Sequence, residues 1–166
     1  TLGGDDNAFD IGLSYTFTVA PKVHLALVYE RTLNKLDLGV PYANVQGFGR
    51  IPAADKVEAT DLQNILISPS YEIGQNTLAA LRVGYASQTI VIKAAGENDD
   101  KIDVSGYSIG IGLQHYVTEN VYVGATYDSY FFNDKTFSGI DSDGDSYSSK
   151  LDPDGYKLGL KVGYKF

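Results

Sequence analysis

An acidic segment near the end of the chain has the spacing of a calcium-binding loop. Oxygen-bearing side chains occupy its positions one, three, five, nine and twelve, which are Asp141, Asp143, Asp145, Ser149 and Asp152, and calcium loops use this pattern of ligands. The match is partial, because position six is serine instead of glycine and position twelve is aspartate instead of glutamate. The first interpretation is a solvated acidic loop. The alternative is a divalent cation held in an outer loop by the four aspartates.

The two histidines of the chain do not predict catalysis. A hydrolytic triad needs a nucleophile, a histidine and a carboxylate that can meet, and no serine or carboxylate stands at a spacing that defines a triad with His24 or His115. The chain has no cysteine, which excludes disulfides, thiolate metal sites and cysteine nucleophiles. We therefore expect no enzymatic activity and no cofactor. We expect His24 to be an interior polar residue bonded to a neighbour such as Glu72.

Length and charge narrow the class of protein further. The chain has 166 residues, the size of one domain, and we treat residues 1–166 as a single domain. Its 13 basic and 21 acidic residues give a net charge of -8, the wrong sign for binding a phosphate backbone, so nucleic acid is not an expected partner. No segment approaches the roughly 18 to 20 consecutive apolar residues that a transmembrane helix needs.

Seven segments alternate between apolar and polar residues, which is the period of a β-strand. They begin near residues 9, 23, 64, 81, 107, 121 and 156. Short turns at 20–22, 74–76 and 118–120 alternate with long polar connections at 38–61, 94–103 and 138–154. An antiparallel meander with short turns at one end and long loops at the other is typical of transmembrane β-barrels, whose long loops lie outside the cell.

The polar face of these strands favours a membrane barrel over a soluble one. In a soluble barrel that face meets water and carries long charged side chains, whereas here it is rich in glycine and serine, which suit the interior of a narrow barrel. The few charged residues on this face have both signs, and we expect them to meet across the lumen: Asp10, Glu30, Arg82, Asp128, Lys157 and Lys161. The alternatives are that these charges line a narrow aqueous path, or that the protein is a soluble ligand-binding barrel.

The last strand carries a resemblance to a known family. Apolar residues stand at alternate positions up to a terminal aromatic: Leu158, Leu160, Val162, Tyr164 and Phe166. This ending resembles the C-terminal strand of small bacterial outer-membrane β-barrel proteins of the porin-like and OmpA/OmpX type, and residues 106–127 are similar to their penultimate hairpin. The resemblance implies a location in the bacterial outer membrane, contact with the lipid bilayer and lipopolysaccharide, and recognition of the terminal strand by the barrel-assembly machinery.

The strand count predicts a missing strand. Bacterial single-chain barrels have an even number of strands from eight upward, and seven strands are visible here. We expect a transmembrane antiparallel up-and-down β-barrel of about eight strands, with the first strand upstream of Thr1 and residues 1–7 in the first outer loop. The alternatives are a hairpin hidden near 45–51, or a larger barrel of which this chain is the C-terminal part. The expected role is structural or surface-adhesive, with a narrow channel for ions or small solutes, or part of a larger porin, as the alternative.

Overall fold

The protein is all-β. The computed structural model describes residues 8–39, 42–45, 49–52, 56–93, 100–140, 146–151 and 154–166. Among these residues no helix is long and apolar enough to cross a membrane. The strands are β1 (Asp10–Ala20), β2 (Val23–Thr32), β3 (Leu36–Gly39), β4 (Tyr42–Val45), β5 (Gly49–Pro52), β6 (Lys56–Gly74), β7 (Thr77–Lys93), β8 (Asp100–Tyr116), β9 (Val121–Phe132), β10 (Lys135–Ile140), β11 (Ser146–Leu151) and β12 (Gly155–Tyr164).

Eight of these strands form one antiparallel sheet. Seven lie side by side in the order β1-β2-β6-β7-β8-β9-β12, and β3 pairs with β6 beside the end of β2. The predicted antiparallel architecture of about eight strands is confirmed at this level. The sheet is not closed, since β1 and β12 are its two edges in the described part of the chain. The hairpin considered near 45–51 exists as β4 and β5, but these strands pair with each other and do not extend the main sheet.

Neighbouring strands of the sheet run up and down between two unlike ends. Short turns join β1 to β2, β6 to β7, and β8 to β9 at one end, which we call the short-turn end. The turn residues Lys22 and Asn76 have φ values of 65° and 62°, and such left-handed turn residues match the twist of the strands that they join. At the opposite end, which we call the long-loop end, β2, β7 and β9 end and β6, β8 and β12 begin.

Three strands are longer than the others. β6, β7 and β8 have 19, 17 and 17 residues, whereas β1, β2, β9 and β12 have 10 to 12. A tilted strand crosses a bilayer in about 9 to 11 residues. The surplus lies at the long-loop end, where residues 56–62, 87–93 and 100–105 together with β3 form a projection that we call the extension.

The sheet is curved, and its two faces have different surroundings and different residues. One face lines a cavity of about 2420 Å³, and we call it the inner face. All seven strands that lie side by side contribute to it, and we call these seven the long strands. The outer face carries large apolar side chains along every long strand. Leu13, Ile111 and Leu160, for example, are 74%, 62% and 89% exposed. These side chains therefore do not form a shielded core.

Inner-face glycines permit the curvature. A Cβ atom on Gly84 would overlap the carbonyl oxygen of Ile65 on the neighbouring strand, and one on Gly106 would overlap the carbonyl oxygen of Phe131. Adjacent strands approach so closely at these points that only glycine fits. Glycines at tight bends of a sheet are typical of barrel corners.

The polarity of both faces reverses at one level of the sheet. On the outer face an apolar row crosses five paired strands through Tyr29, Ile65, Tyr85, Tyr107 and Phe131. The next outward-facing row toward the long-loop end is polar and contains Arg31, Gln63, Ser87 and Ser105. We call these the apolar row and the polar row. The outer face therefore changes from apolar to polar within two residues of each of these strands.

The inner face changes in the opposite sense at the same level. Toward the short-turn end it carries polar and small residues such as Arg82, Ser108 and Gly110. Toward the long-loop end, in the extension and on the parts of β7 and β9 that adjoin it, the inner face carries an apolar cluster: Val57, Leu62, Ala86, Ile90, Val104, Tyr130 and Phe132. In the sequence, the alternation of apolar and polar residues changes phase near Ser105 and Gly106, which predicts a bulge or a strand start at this point. This prediction is wrong. β7 and β8 pair without a register shift from Thr77 to Ile92, because the strand is continuous and only the polarity of its faces is exchanged.

Candidate functional site: the ion-paired interior

Arg82 is the centre of a buried charge cluster on the inner face. Its Nη2 atom lies 2.7 Å from Oε2 of Glu30, and its Nε atom donates a hydrogen bond of 2.7 Å to Oδ1 of Asp128. The three residues are 5%, 6% and 0% exposed. A guanidinium group presents several donors in a fixed plane, so one arginine can bind two carboxylates from different directions.

Two lysines of β12 complete the cluster from the far edge of the sheet. Lys161 pairs with Oε1 of Glu30 on β2, and Lys157 Nζ lies 2.7 Å from Oδ2 of Asp10 on β1. Thr32 also donates a hydrogen bond to Oδ1 of Asp10. The structure thus brings together all six residues of the charge set derived from the sequence. These contacts show that the sheet curls far enough for side chains on β12 to reach β1 and β2.

The cluster is balanced in charge. Three carboxylates, Asp10, Glu30 and Asp128, face three cations, Arg82, Lys157 and Lys161. An unpaired ion in such a place costs several kcal/mol, whereas a paired and hydrogen-bonded one is tolerated. The arrangement therefore joins strands across the interior and adds no net charge to it. Among the described residues no group of three or more histidine, aspartate or glutamate side chains is placed to hold a metal ion.

Polar side chains surround the ion pairs. Ser108 donates a hydrogen bond of 3.0 Å to Oδ1 of Asn64. Asn64 Nδ2, Thr126 Oγ1, Asp128 Oδ2 and Tyr130 OH are buried and have no hydrogen-bond partner within the described residues. Buried groups of this kind usually bond ordered water. The interior at this level is therefore polar, and it lies directly below the apolar cluster of the extension.

His24 lies inside the sheet near the short-turn end. Its Nε2 atom is 2.9 Å from Oε1 of Glu72, and its Nδ1 atom is 3.1 Å from the hydroxyl oxygen of Thr18. The expected contact with Glu72 is confirmed. On the outer face, His115 Nδ1 lies 2.9 Å from the hydroxyl of Thr77. Each histidine thus has a hydroxyl partner, and only His24 also has a carboxylate.

A second charge cluster, which the sequence did not reveal, lies on the outer face of the extension. Glu58 is buried between two lysines, with Lys93 Nζ 2.9 Å from its Oε2 atom and Lys56 Nζ 3.0 Å from its Oε1 atom. A hydrogen bond from Lys93, and to a smaller extent one from Lys56, hold the pKa of Glu58 below its ordinary value. The hydrogen bond that Lys56 donates to Glu58, and to a smaller extent the one that it donates to Asp37, raise the pKa of Lys56. Cross-strand register produces this cluster, since Lys56 is directly opposite Lys93.

The remaining predicted residues fall in two places. The apolar residues at the C-terminal end, which the sequence predicts to be recognised during assembly, are all exposed: Leu158, Leu160, Val162, Tyr164 and Phe166. The candidate cation ligands lie outside the described residues: Asp141, Asp143, Asp145 and Asp152.

Comparison with known proteins gives no family for this chain. No protein-family model matches it, and no curated protein is significantly similar to it. The functional assignment therefore depends on the geometry described above.

Proposed function

We propose that the protein is an integral β-barrel of the bacterial outer membrane, with a packed, ion-paired interior and a structural or surface-adhesive role at its long-loop end. The observation that carries this proposal is the reversal of polarity at the apolar and polar rows. A soluble sheet buries its apolar face throughout. Here the outer face is apolar over the length of a bilayer crossing and polar beyond it, which is the pattern that a hydrocarbon layer of limited thickness requires.

The exposed apolar area supports the same proposal. Soluble monomers rarely expose continuous apolar patches larger than a few hundred Å², and here apolar side chains cover the outer face of all seven long strands. Aromatic residues lie at both margins of this band. Tyr29, Tyr85 and Tyr107 lie toward the long-loop end, and Tyr71 and Tyr164 lie toward the short-turn end. Tyrosine is favoured at membrane interfaces because its ring is apolar and its hydroxyl is polar.

The interior favours a packed barrel over a pore. Paired charges at the level of Arg82 leave no net charge to attract a permeant ion, and the apolar cluster around Ile90 and Val104 lies above them. A barrel of about eight strands has an interior that side chains can fill. The observation that favours a narrow channel instead is the cavity along the inner face, which both polar and apolar side chains line.

The location of the apolar band can be tested with single cysteines, because the chain has none of its own. Leu160→Cys and Ile111→Cys, labelled with an environment-sensitive dye in vesicles, should be quenched by lipids brominated on their acyl chains. Lys101→Cys, on the outer face of the extension, is the matched control and should not be quenched. Equal quenching at all three positions, or none at any, would refute the membrane assignment.

The pore alternative is tested separately. Protein reconstituted in a planar bilayer should show no stable open level above the leak. A reproducible conductance step would replace the packed interior with a channel, while leaving the membrane assignment intact.

The proposed partners follow from the two ends of the strands. Lipopolysaccharide would contact the outer wall beside the extension. The exposed apolar side chains of β12 and of Phe166, two residues beyond it, would be recognised by the barrel-assembly machinery. Phe166→Ala should therefore reduce the amount of protein inserted in the outer membrane of cells. The folding yield of Phe166→Ala in detergent serves as its control and should be unchanged.

A further inference from the structure

A gap in the strand pairing opens a cleft on the outer face beside the extension. β2 pairs with β6 as far as Arg31 opposite Gln63, and β3 resumes the pairing with Leu36 opposite Ala59. Between these points β6 bulges, because it takes three residues to pass from Thr60 to Gln63 where β7 takes two. The bulge and the link between β2 and β3 lie around a cleft of about 280 Å³, which we call the boundary cleft.

The boundary cleft is positively charged although the whole chain is acidic. Among the described residues that line it, the charged ones are two cations, Arg31 and Lys35, and one carboxylate, Asp61. Two positive charges and one negative charge leave one positive charge in the cleft, whereas the chain has a net charge of -8. An anion near this surface is therefore attracted to the cleft and repelled by the chain as a whole.

Arg31 keeps hydrogen-bond donors for a ligand. Its Nε atom donates a hydrogen bond of 2.7 Å to Oδ1 of Asp61, and its Nη2 atom lies 2.6 Å from the same oxygen. A guanidinium group has five N–H donors, so three of them have no partner within the described residues. The second oxygen of Asp61 accepts a hydrogen bond of 3.1 Å from Gln63. Protein donors thus engage both oxygens of Asp61, which offsets its repulsion of an anion.

Lys35 is the least firmly paired cation around Glu58. Its Nζ atom lies 3.9 Å from Oε2 of Glu58. Lys93 and Lys56 are closer to this carboxylate, at 2.9 and 3.0 Å. The Lys35 side chain is also 69% exposed, and an ion pair of this kind contributes less than about 1 kcal/mol. Lys35 can therefore turn toward a ligand in the boundary cleft at little cost.

The boundary cleft lies at the level of lipid headgroups if the apolar row marks the edge of the hydrocarbon. Arg31 stands two residues beyond Tyr29 on the outer face of β2. For a tilted strand this is about 5 Å along the membrane normal. The headgroup layer on each side of a bilayer is about 5 to 7 Å thick. The guanidinium group of Arg31 therefore lies within that layer.

We propose that the boundary cleft binds the phosphate group of a lipid in the outer leaflet, with Arg31 and Lys35 donating hydrogen bonds to it. This inference rests on the proposed function, which places the cleft at the bilayer surface. Phosphate is the anion that lipid headgroups supply at this level, and arginine and lysine bind it through charge-assisted hydrogen bonds. The acyl chains of the same lipid would contact the apolar row below, at Tyr29 and Ile65. Phosphorylated lipid A, the anchor of lipopolysaccharide, has this combination of groups.

Native mass spectrometry of the folded protein in detergent tests the proposal. The probes are lipid A that carries its phosphate groups and the same lipid A after enzymatic removal of these groups. We expect the protein to retain one molecule of phosphorylated lipid A, with an affinity about 10-fold or more above that for the dephosphorylated form. Equal retention of the two lipids would overturn the proposal.

A pair of double variants tests the two cations. Arg31→Gln combined with Lys35→Gln should lower the affinity for phosphorylated lipid A by about 10-fold or more. The variant should still fold, because both ion pairs that it removes are exposed on the cation's side. Lys22→Gln combined with Lys101→Gln removes the same charge outside the cleft and should bind as the unmodified protein does. An equal loss in both double variants would assign binding to overall charge and overturn the proposal.

Two further measurements identify the source of the phosphate and the cause of a failure. Millimolar inorganic phosphate should not displace the lipid, because it lacks the apolar contact of the acyl chains. Displacement would indicate a site for free phosphate and overturn the proposal. If lipid quenching at Leu160→Cys persists while phosphorylated lipid A is not preferred, only the assignment of the cleft has failed. Loss of that quenching would instead show that the proposed function has failed, and this inference with it.

Discussion

Arg82 on β7 binds Glu30 on β2 although β6 lies between these strands, with 2.7 Å between Nη2 and Oε2. The contact crosses the concave side of the sheet, so it depends on curvature as well as on sequence. Because Arg82 also binds Asp128 on β9, a single guanidinium ties together strands from both halves of the sheet.

Replacement of Arg82 should be strongly destabilising. Arg82→Leu leaves Glu30 and Asp128 buried with too few cations, and we expect the free energy of unfolding to fall by about 3 to 5 kcal/mol. The measurement is equilibrium urea unfolding in detergent or vesicles. Arg31→Leu is the control, because the pair of Arg31 with Asp61 is 50% and 41% exposed, and its loss should cost less than about 1 kcal/mol. Similar losses for the two variants would contradict the role given to Arg82.

The two faces should differ in their tolerance of substitution. Leu160→Arg places a charge in the middle of the outer apolar band and should cost about 2 to 4 kcal/mol near the bilayer midplane. Ser14→Thr adds one methyl group on the inner face and should cost far less. Unfolding of both variants from vesicles gives the comparison. Equal tolerance would mean that the faces are assigned the wrong way round.

Close strand approach should make Gly84 sensitive to a single methyl group. In Gly84→Ala the new Cβ would lie 2.9 Å from the carbonyl carbon of Ile65 and from Cα of Leu66. We expect a loss of about 1 to 3 kcal/mol, typical of overpacking. Gly74→Ala is the matched control, because nothing lies within 4 Å of its Cβ position. A Gly84→Ala variant as stable as Gly74→Ala would mean that the sheet is less curved at this point.

The extension should loosen in acid. The lowered pKa of Glu58 stabilises the extension above the carboxyl's ordinary value of 4.5, and this contribution is lost as the pH falls through the lowered value. Amide exchange of residues 56–60, corrected for the intrinsic pH dependence, should therefore accelerate below about pH 4.5. In Glu58→Gln this step should disappear. A step of the same size in Glu58→Gln would assign the effect to another carboxylate.

The faces of the strands follow from the sequence more readily than their contacts. Period-two alternation requires only that a strand have two faces, and the glycine and serine on one of them indicated the interior. The same alternation selected Arg82, Glu30 and Asp128 as inward-facing charges. Which of them would meet depends on how far the sheet curls, and that curvature comes from close approaches such as that at Gly84, which no local pattern encodes.

The extension was not predicted from the sequence because its apolar residues lie on the opposite face of the strands. If a strand is recognised by apolar residues on one constant face, its predicted end falls where the polarity of that face reverses. β7 and β8 continue beyond Tyr85 and Tyr107 with apolar residues such as Ile90 and Val104 on the opposite face. The predicted long connections at 38–61 and 94–103 therefore include residues 56–61 of β6 and 100–103 of β8, which are strand. The charge cluster at Glu58 was missed with them, because its lysines meet only through the pairing of β6 and β7.

If the proposed membrane location holds, the reversal of polarity between Tyr85 and Ser87 would set the depth of the protein in the bilayer, because it occurs within two residues. If the protein moved two residues deeper, the polar row would enter the acyl chains: Arg31, Gln63, Ser87 and Ser105. If it moved two residues outward, the aromatic rings of the apolar row would enter water. Both displacements would raise the energy, so under the proposed function the two rows would hold the extension at a constant height above the bilayer.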